Sequence, residues 1–381
     1  MKEYIFVLGR DHDLSLLELI SYLRVRNISN KIILYKNNIL IISLPDLDFA
    51  SLINDIGGTI KICEVISNNT KTFDNDLNKI NFYYTQKKLF FSLNNFNNSQ
   101  IADKVYNYFK TKFRDEDIKF VSKKLNNYFS PLKQTKNKNY YLLDIVVFSN
   151  YIAKTIANSN PSSYKELDKR PENDFLKSIS IRLAKIMINL AQATKDKTLL
   201  DPFCGVGVIL QQAMLMDIDV IGIDNDEKSV FQSKKNLEWT KEKFRCLKNY
   251  KIMKGDSTQL NKLLKNNSVD VVVTEPYLGP YLKKTLNKQQ ALRIKSQLEN
   301  MYKQFFESLT NIIKENGLIV IVLPIFNTRS NDIISINLKE LIKNKYSICK
   351  ISEFIDLPIT YYGLNKKIIR QIVVLKVNNK I

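Results

Sequence analysis

The chain has 381 residues, 44% of them hydrophobic, and 58 Lys and Arg against 38 Asp and Glu give it a formal net charge of +20. That length supports two or three domains with apolar cores, and the positive excess suits a polyanionic partner, nucleic acid ahead of an anionic membrane surface. No window approaches the ~20 consecutive apolar residues of a membrane span; four scattered cysteines without CxxC spacing and one histidine, His12, argue against a disulfide framework, a metal site and a Ser-His triad. The apolar run Tyr4–Gly9 is closed by Arg10 and Asp11, too soon for a signal peptide. The expectation is a cytoplasmic protein with no membrane partner.

In chain order, Tyr4–Leu8 predicts a strand, then a turn holding His12 as an ordinary polar loop residue. A helix follows from near Leu14, with Asp13 as N-cap and Leu16, Leu17, Ile20 and Leu23 on one face. Strands at Lys31–Tyr35 and Ile39–Leu44, a helical piece at Phe49–Ile53 and a strand at Thr59–Ile66 complete a βαββαβ order. That order predicts a ferredoxin-like domain over residues 1–66.

Residues 67–165 change character, with 16 Lys and Arg against 7 Asp and Glu, nearly half the surplus in a quarter of the chain. LFFSLNN predicts a strand, Ile101–Phe113 a helix and Tyr140–Phe148 a strand. Lysines interleaved with Tyr83, Tyr84, Tyr106, Tyr108, Phe120 and Tyr128 suit phosphate neutralisation with base or ribose contact. The polar stretch Glu166–Asp174 reads as the start of a linker over residues 166–179. Residues 180–381 then form the last domain, opening with the amphipathic segment Ser180–Ala191.

In that domain Thr198–Leu200 reads as a buried strand, Asp201–Gly207 as a turn with two glycines, Val208–Leu215 as a helix, and Val220–Ile223 as a strand ending in Asp224. Such a turn lets backbone approach a ligand and aims helix N-terminal N–H groups at it. It is neither the three-glycine dinucleotide fingerprint nor a P-loop. Asp224, at the end of the next strand, is placed to accept from a ribose diol. A strand ending at Met253 leads to Asp256 and Ser257, which can offer a carboxylate and backbone N–H groups to an adenine edge. Asp270–Val273 ends in Thr274-Glu275-Pro276-Tyr277-Leu278-Gly279, an acid, a proline and an aromatic at the carboxyl end of a strand. Together the four parts predict a nucleoside-bearing cofactor beside a reactive crevice.

The order DPFCGVG, IGIDND, KGDS and TEPYLG resembles a class I S-adenosylmethionine-dependent methyltransferase of the amino-methylating type. With YIFVLGRDHDLSLLEL, YIAKTIANSNPSSYKELDKRP and RLAKIMINLA upstream, the chain resembles the THUMP-domain tRNA guanosine N2-methyltransferases that act at position 10. The resemblance implies an α/β protein: a Rossmann-like domain, mostly parallel with a closing antiparallel hairpin, after an N-terminal α+β region, ferredoxin-like and then THUMP-like and RNA-binding. It implies S-adenosyl-L-methionine as cofactor and tRNA, not DNA, as partner, and leaves open a small activator subunit. Gly205 and Gly207 would flank the methionine moiety, Asp224 hold the ribose, and Asp256 meet the adenine amine with Ser257 beside it. Asp201, Phe203 and Asn225 would complete the cofactor set. Glu275 and Pro276 would take the first two places of the catalytic tetrad, usually Asp or Asn, Pro, Pro, then Tyr or Phe, with Tyr277 stacking on the flipped base. An exocyclic amine is a poor nucleophile because its lone pair is delocalised; an acidic oxygen and the Pro276 carbonyl, each accepting one N–H, would pull it toward tetrahedral geometry. This sequence departs from the pattern in the longer Glu275, in Tyr277-Leu278 for Pro and aromatic, and in Ser180-Ile181 where relatives commonly carry a proline. Alternatives are a DNA amino-methyltransferase acting on adenine N6 or cytosine N4, and a non-catalytic RNA-binding protein.

Overall fold

The computed structural model describes residues 1–69, 72–78, 80, 88–126, 140–173, 178–282, 284–361 and 368–378. Tyr83, Tyr84 and Tyr128, singled out in the sequence, lie outside them, as do Lys283, Tyr362 and Gly363. The chain divides into two compact units, Met1–Leu16 with Asn27–Pro161, and Leu17–Arg26 with Ser162–Ile381.

The first unit is built on one eight-stranded sheet. Its elements are β1 (Lys2–Leu8), the start of α1 (His12–Val25), β2 (Lys31–Lys36), β3 (Ile39–Leu44), α2 (Phe49–Asp55), β4 (Thr59–Ser67), α3 (Phe73–Asn78), β5 (Lys88–Asn95), α4 (Ser99–Asp115), β6 (Phe120–Asn126), β7 (Tyr140–Phe148) and β8 (Tyr151–Asn158). The strands run in the order β2-β3-β1-β4-β8-β7-β5-β6, so those before and after residue 66 share one sheet through the antiparallel β4–β8 pair. The first four keep the antiparallel order expected of a ferredoxin-like βαββαβ unit. β6 and β8 escape the sequence reading: the exposure of FVSKKLN alternates without an apolar face, and YIAKTIAN is interrupted by Lys154. The first helix begins at His12, two residues ahead of expectation, because the Asp11 carbonyl accepts from both the backbone N and the hydroxyl of Ser15. His12 is therefore helical, with Nδ1 2.8 Å from the Tyr35 hydroxyl.

A charged network lies inside this sheet. Lys61 on β4 is fully buried and its ammonium donates to Asp144 on β7 at 2.8 Å. Ser92 on β5 and Thr155 on β8 also donate to that carboxylate, at 2.6 and 2.7 Å. Four strands are thus tied to one buried anion.

The second unit carries α5 (Pro161–Leu167), α6 (Ile181–Leu190), β9 (Thr198–Asp201), α7 (Val208–Leu215), β10 (Asp219–Asp224), α8 (Glu227–Phe244), β11 (Tyr250–Lys254), α9 (Leu260–Leu263), β12 (Val269–Thr274), α10 (Lys288–Ile312), β13 (Ile313–Asn327), β14 (Ile333–Ser335), α11 (Leu338–Ile342), β15 (Tyr346–Ile348), β16 (Ile359–Tyr361) and β17 (Ile368–Val377). Its nine-stranded sheet runs β11-β10-β9-β12-β13-β17-β15, with β14 and β16 paired at the side. The first five are parallel to their neighbours and β17 is antiparallel to β13. Val271–Val273 and Leu318–Val322 read as unbroken apolar runs because central parallel strands are covered on both faces. Leu200, Val272, Ile321 and Val373 of the sheet and Phe305, Phe306 and Leu309 of α10 share one core. α10 starts at a capping box in which Asn287 accepts from Gln290 N at 2.8 Å and the Gln290 side chain accepts from Asn287 N at 3.1 Å.

Two sequence expectations need correction here. Glu166 and Leu167, read as the start of a linker, close α5, which opens with the proline at position 161 that a first helical turn tolerates. Ile351–Leu357, which the implied closing antiparallel hairpin would include, is irregular: Phe354 N donates to the Ser352 hydroxyl at 3.0 Å and Lys350 pairs with Glu353, which curls the chain. The short strands that pair with β17 are instead Tyr346–Ile348 and Ile359–Tyr361.

Among the described residues no helix is long and apolar enough to cross a membrane, and no group of three or more His, Cys, Asp or Glu could hold a metal ion.

Candidate active site

Strand order reverses between β9 and β12, which leave the centre of the sheet side by side; this is where open α/β sheets form a crevice at their carboxyl ends. The turn after β9 keeps its shape through two glycines in left-handed conformation, Gly205 at φ 51° and Gly207 at φ 84°. They serve different ends. A Cβ on Gly207 would come within 2.6 Å of the Ser233 hydroxyl on α8, so this glycine lets α7 start against α8. A Cβ on Gly205 would meet nothing within 4 Å, so the turn leaves open space there.

Asp224, at the end of β10, accepts from Gly205 N at 2.8 Å through one oxygen and from Asp226 N at 3.0 Å through the other. It therefore ties the first turn to the second, and each oxygen retains a lone pair for a further donor. Asp226 caps α8, accepting from Ser229 N at 3.2 Å. Asp256 caps the short turn Ser257–Gln259, accepting from the N and hydroxyl of Thr258, both at 2.8 Å. Ser257 is buried and its carbonyl accepts from the Ser308 hydroxyl of α10 at 2.8 Å.

The acidic loop follows β12. Thr274 is fully buried and donates at 2.7 Å to Asp201, the last residue of β9. Asp201 also accepts from Phe203 N at 3.2 Å. Burial pushes its carboxyl up to about 7, with the nearby negative charges of Asp224 and Glu275 adding to the effect. Glu275 pairs with Arg370 of β17 through the guanidinium Nε. Burial raises the Glu275 carboxyl above its ordinary value while Arg370 opposes the rise. Pro276 is buried; Tyr277 is 55% exposed, and its carbonyl accepts from the buried Tyr302 hydroxyl of α10 at 2.7 Å.

A cavity of about 250 Å³ is bordered by Asp201, Phe203, Gly205 and Glu275 from the expected set. Gly207, Asp224, Asn225, Asp256, Ser257, Pro276 and Tyr277 do not line it, although Asp224 braces its glycine turn. The sequence reading missed the lining groups Asn173, Asp226, Ser229 and Gln232, and it missed Arg370 and Tyr302. An arginine opening the apolar run RQIVVLKV was the available signal for Arg370, since a charge in such a strand needs a partner. In the lysine-rich stretch LKKTLNKQQALRIK that follows the acidic loop, Lys288 pairs with Asp332 and Lys295 with Glu299, while Lys284 and Arg293 are exposed.

Because folding raises the Asp201 carboxyl above its unfolded value, the native state binds the extra proton, and stability falls as pH rises from the ordinary carboxylate range to about 7. Asp201→Asn removes that loss and keeps an acceptor for Thr274. Its melting temperature relative to wild type should be higher at pH 8 than at pH 5 by calorimetry, and an equal difference at both would refute the assignment.

A mostly parallel sheet closed by an antiparallel strand, with a glycine turn and an acid-proline loop on either side of its switch point, defines a class I methyltransferase domain. The chain belongs to the S-adenosylmethionine-dependent methyltransferases. A family model described as "DNA methylase" matches residues 25–235, over half of the chain, ending before Glu275. One described as "RMKL-like, methyltransferase domain" matches residues 172–332. Among curated proteins, the tRNA (guanine(10)-N2)-dimethyltransferase of Pyrococcus abyssi is 30% identical over 42% of this chain and 43% of its own. The protein of the same name from Methanothermobacter thermautotrophicus is 28% identical over 45% of this chain and 43% of its own. The chain thus spans less than half the length of these relatives. The crystal structure of TrmN from Thermus thermophilus shares the fold over 99% of this chain and all of its own, with a TM-score of 0.55 and 12% identity. That of a possible methylase from Clostridium difficile 630 covers 100% of this chain and 99% of its own, at 0.51 and 13%.

The donor set fits this cofactor. Open space at Gly205 admits a ligand against the backbone, and the carboxylates of Asp201 and Asp226 around the cavity suit a cationic ligand carrying hydroxyls and an amine. S-adenosylmethionine supplies an electrophilic methyl group on a sulfonium.

Proposed function

We propose that the chain transfers that methyl group to the exocyclic N2 amine of a guanosine in tRNA, at position 10, in the cytoplasm. The observation that carries this reading is Glu275, whose carboxylate, on a side chain 10% exposed, follows directly on β12 and borders the same cavity as the glycine turn. Gly205, Asp224 and Asp256 hold the cofactor in this scheme. Glu275 and the Pro276 carbonyl accept from the two amine hydrogens, keeping the nitrogen lone pair directed at the methyl as positive charge develops. Tyr277, with its ring exposed and its carbonyl fixed by Tyr302, offers a stacking surface for an extruded base. The N-terminal region, a ferredoxin-like domain over 1–66 followed by a THUMP-like domain over 67–165, is assigned to RNA on the strength of the surplus of lysines in residues 67–165. The names of the curated relatives support the same substrate.

The second reading, amino-methylation of DNA, is favoured by the description of the family model over residues 25–235. Labelled cofactor given with unmodified tRNA and with duplex DNA separates the two. Transfer is expected to tRNA, and mass-spectrometric mapping should place one or two methyl groups on the guanosine at position 10. Label in duplex DNA alone would overturn the tRNA assignment.

A further inference from the structure

Glu275 is held from the far side of the sheet. Arg370 lies on β17, which is antiparallel to β13 and separated from β12 by it, with Arg370 in register with Pro324. From there its guanidinium Nε reaches one oxygen, Oε1, of Glu275. The two side chains are 19% and 10% exposed, so the pair sits largely out of water, where a guanidinium orients a carboxylate more firmly than it would at the surface. We propose that Arg370 is a positioning residue: it fixes Glu275 by Oε1, keeps the carboxylate ionised, and leaves Oε2 to accept the hydrogen of the substrate amine. The inference rests on the amino-methylation reading above and deepens it.

The neighbourhood explains why such a partner is needed. Asp201 lies close enough to interact with Glu275 electrostatically, as does the buried phenol of Tyr302, whose titration burial pushes further upward. Neither supplies positive charge. Burial favours a protonated Glu275, and a protonated acid would offer a donor where the amine needs an acceptor. Arg370 opposes that effect. The guanidinium also holds by one edge a side chain that is a methylene longer than aspartate, so the extra torsion does not leave the acceptor oxygen loose.

Arg370→Met and Arg370→Lys test this in the full-length protein, with circular dichroism to verify folding. With tRNA as substrate, Arg370→Met should lower kcat at neutral pH about a hundredfold with KM unchanged. The acid limb of its kcat profile should move to higher pH, and Arg370→Lys should restore much of that position. A purely structural role would depress kcat alike at every pH. Asp201→Asn identifies any limb due to Asp201. The carboxyl carbon of Glu275 in [13C]glutamate-labelled protein, assigned by its loss in Glu275→Gln, should titrate at higher pH in Arg370→Met than in wild type. An unmoved titration, or an unmoved limb in an active wild type, overturns the role given to Arg370. A wild-type protein that transfers methyl to no tRNA overturns the tRNA reading instead, and the carbon titration still decides whether Arg370 keeps Glu275 ionised.

Discussion

Glu275→Ala should lower kcat for methyl transfer about a thousandfold while leaving calorimetric binding of S-adenosylmethionine intact. The alanine removes the acceptor that strengthens only as charge develops on the amine, which is where a well-placed hydrogen-bonding group contributes most. It also leaves Arg370 half-buried without its carboxylate, so positive charge faces a nitrogen that is itself becoming positive. Glu275→Gln should be milder, about tenfold, because its amide oxygen can still accept although Arg370 competes for it. Steady-state kinetics on unmodified tRNA distinguish the cases. An alanine variant retaining more than a tenth of wild-type kcat would remove Glu275 from the reaction.

The largest effect on stability should come from Asp144→Ala in the N-terminal unit, at about 3–5 kcal/mol. The substitution strands the ammonium of Lys61, which is 0% exposed, and leaves the hydroxyls of Ser92 and Thr155 without their acceptor. Removing both charges in Lys61→Met with Asp144→Leu should cost less than Asp144→Ala alone, since no uncompensated ion remains. Denaturant unfolding followed by circular dichroism reads both. Equal losses in the single and double variants would mean that the network contributes through packing alone.

The sequence revealed the C-terminal sheet more readily than its catalytic geometry. Strands β9, β10 and β12 are short, largely apolar runs with an acid at or just after their end, and that grammar is local: a buried parallel strand and the turn after it are written in consecutive residues. Asp201, Gly205 and Glu275 could be singled out for this reason. Arg370 could not, because its partner lies 95 positions earlier in the chain and only the antiparallel placement of β17 brings them together. Gly207 was read as a ligand-flanking residue, whereas its missing side chain makes room for Ser233, a packing demand that a turn motif does not express. In the first unit, β6 escaped notice because its exposed side chains follow no apolar alternation, and β8 because a lysine interrupts its run.

The position of β17 bears on how the protein comes into being during translation. It is later in the chain than every strand of its sheet, yet it lies between β13 and β15. While the ribosome is still adding residues before Ile368, β13 has a bare edge and Glu275 has no cation beside it. The glycine turn and acid loop can already have formed on the parallel strands, so a nascent chain could bind cofactor before it can carry out transfer. Completion of the sheet and assembly of the Glu275–Arg370 pair are then one event, and a polypeptide released before Arg370 would lack both the seal on its core and the cation beside Glu275.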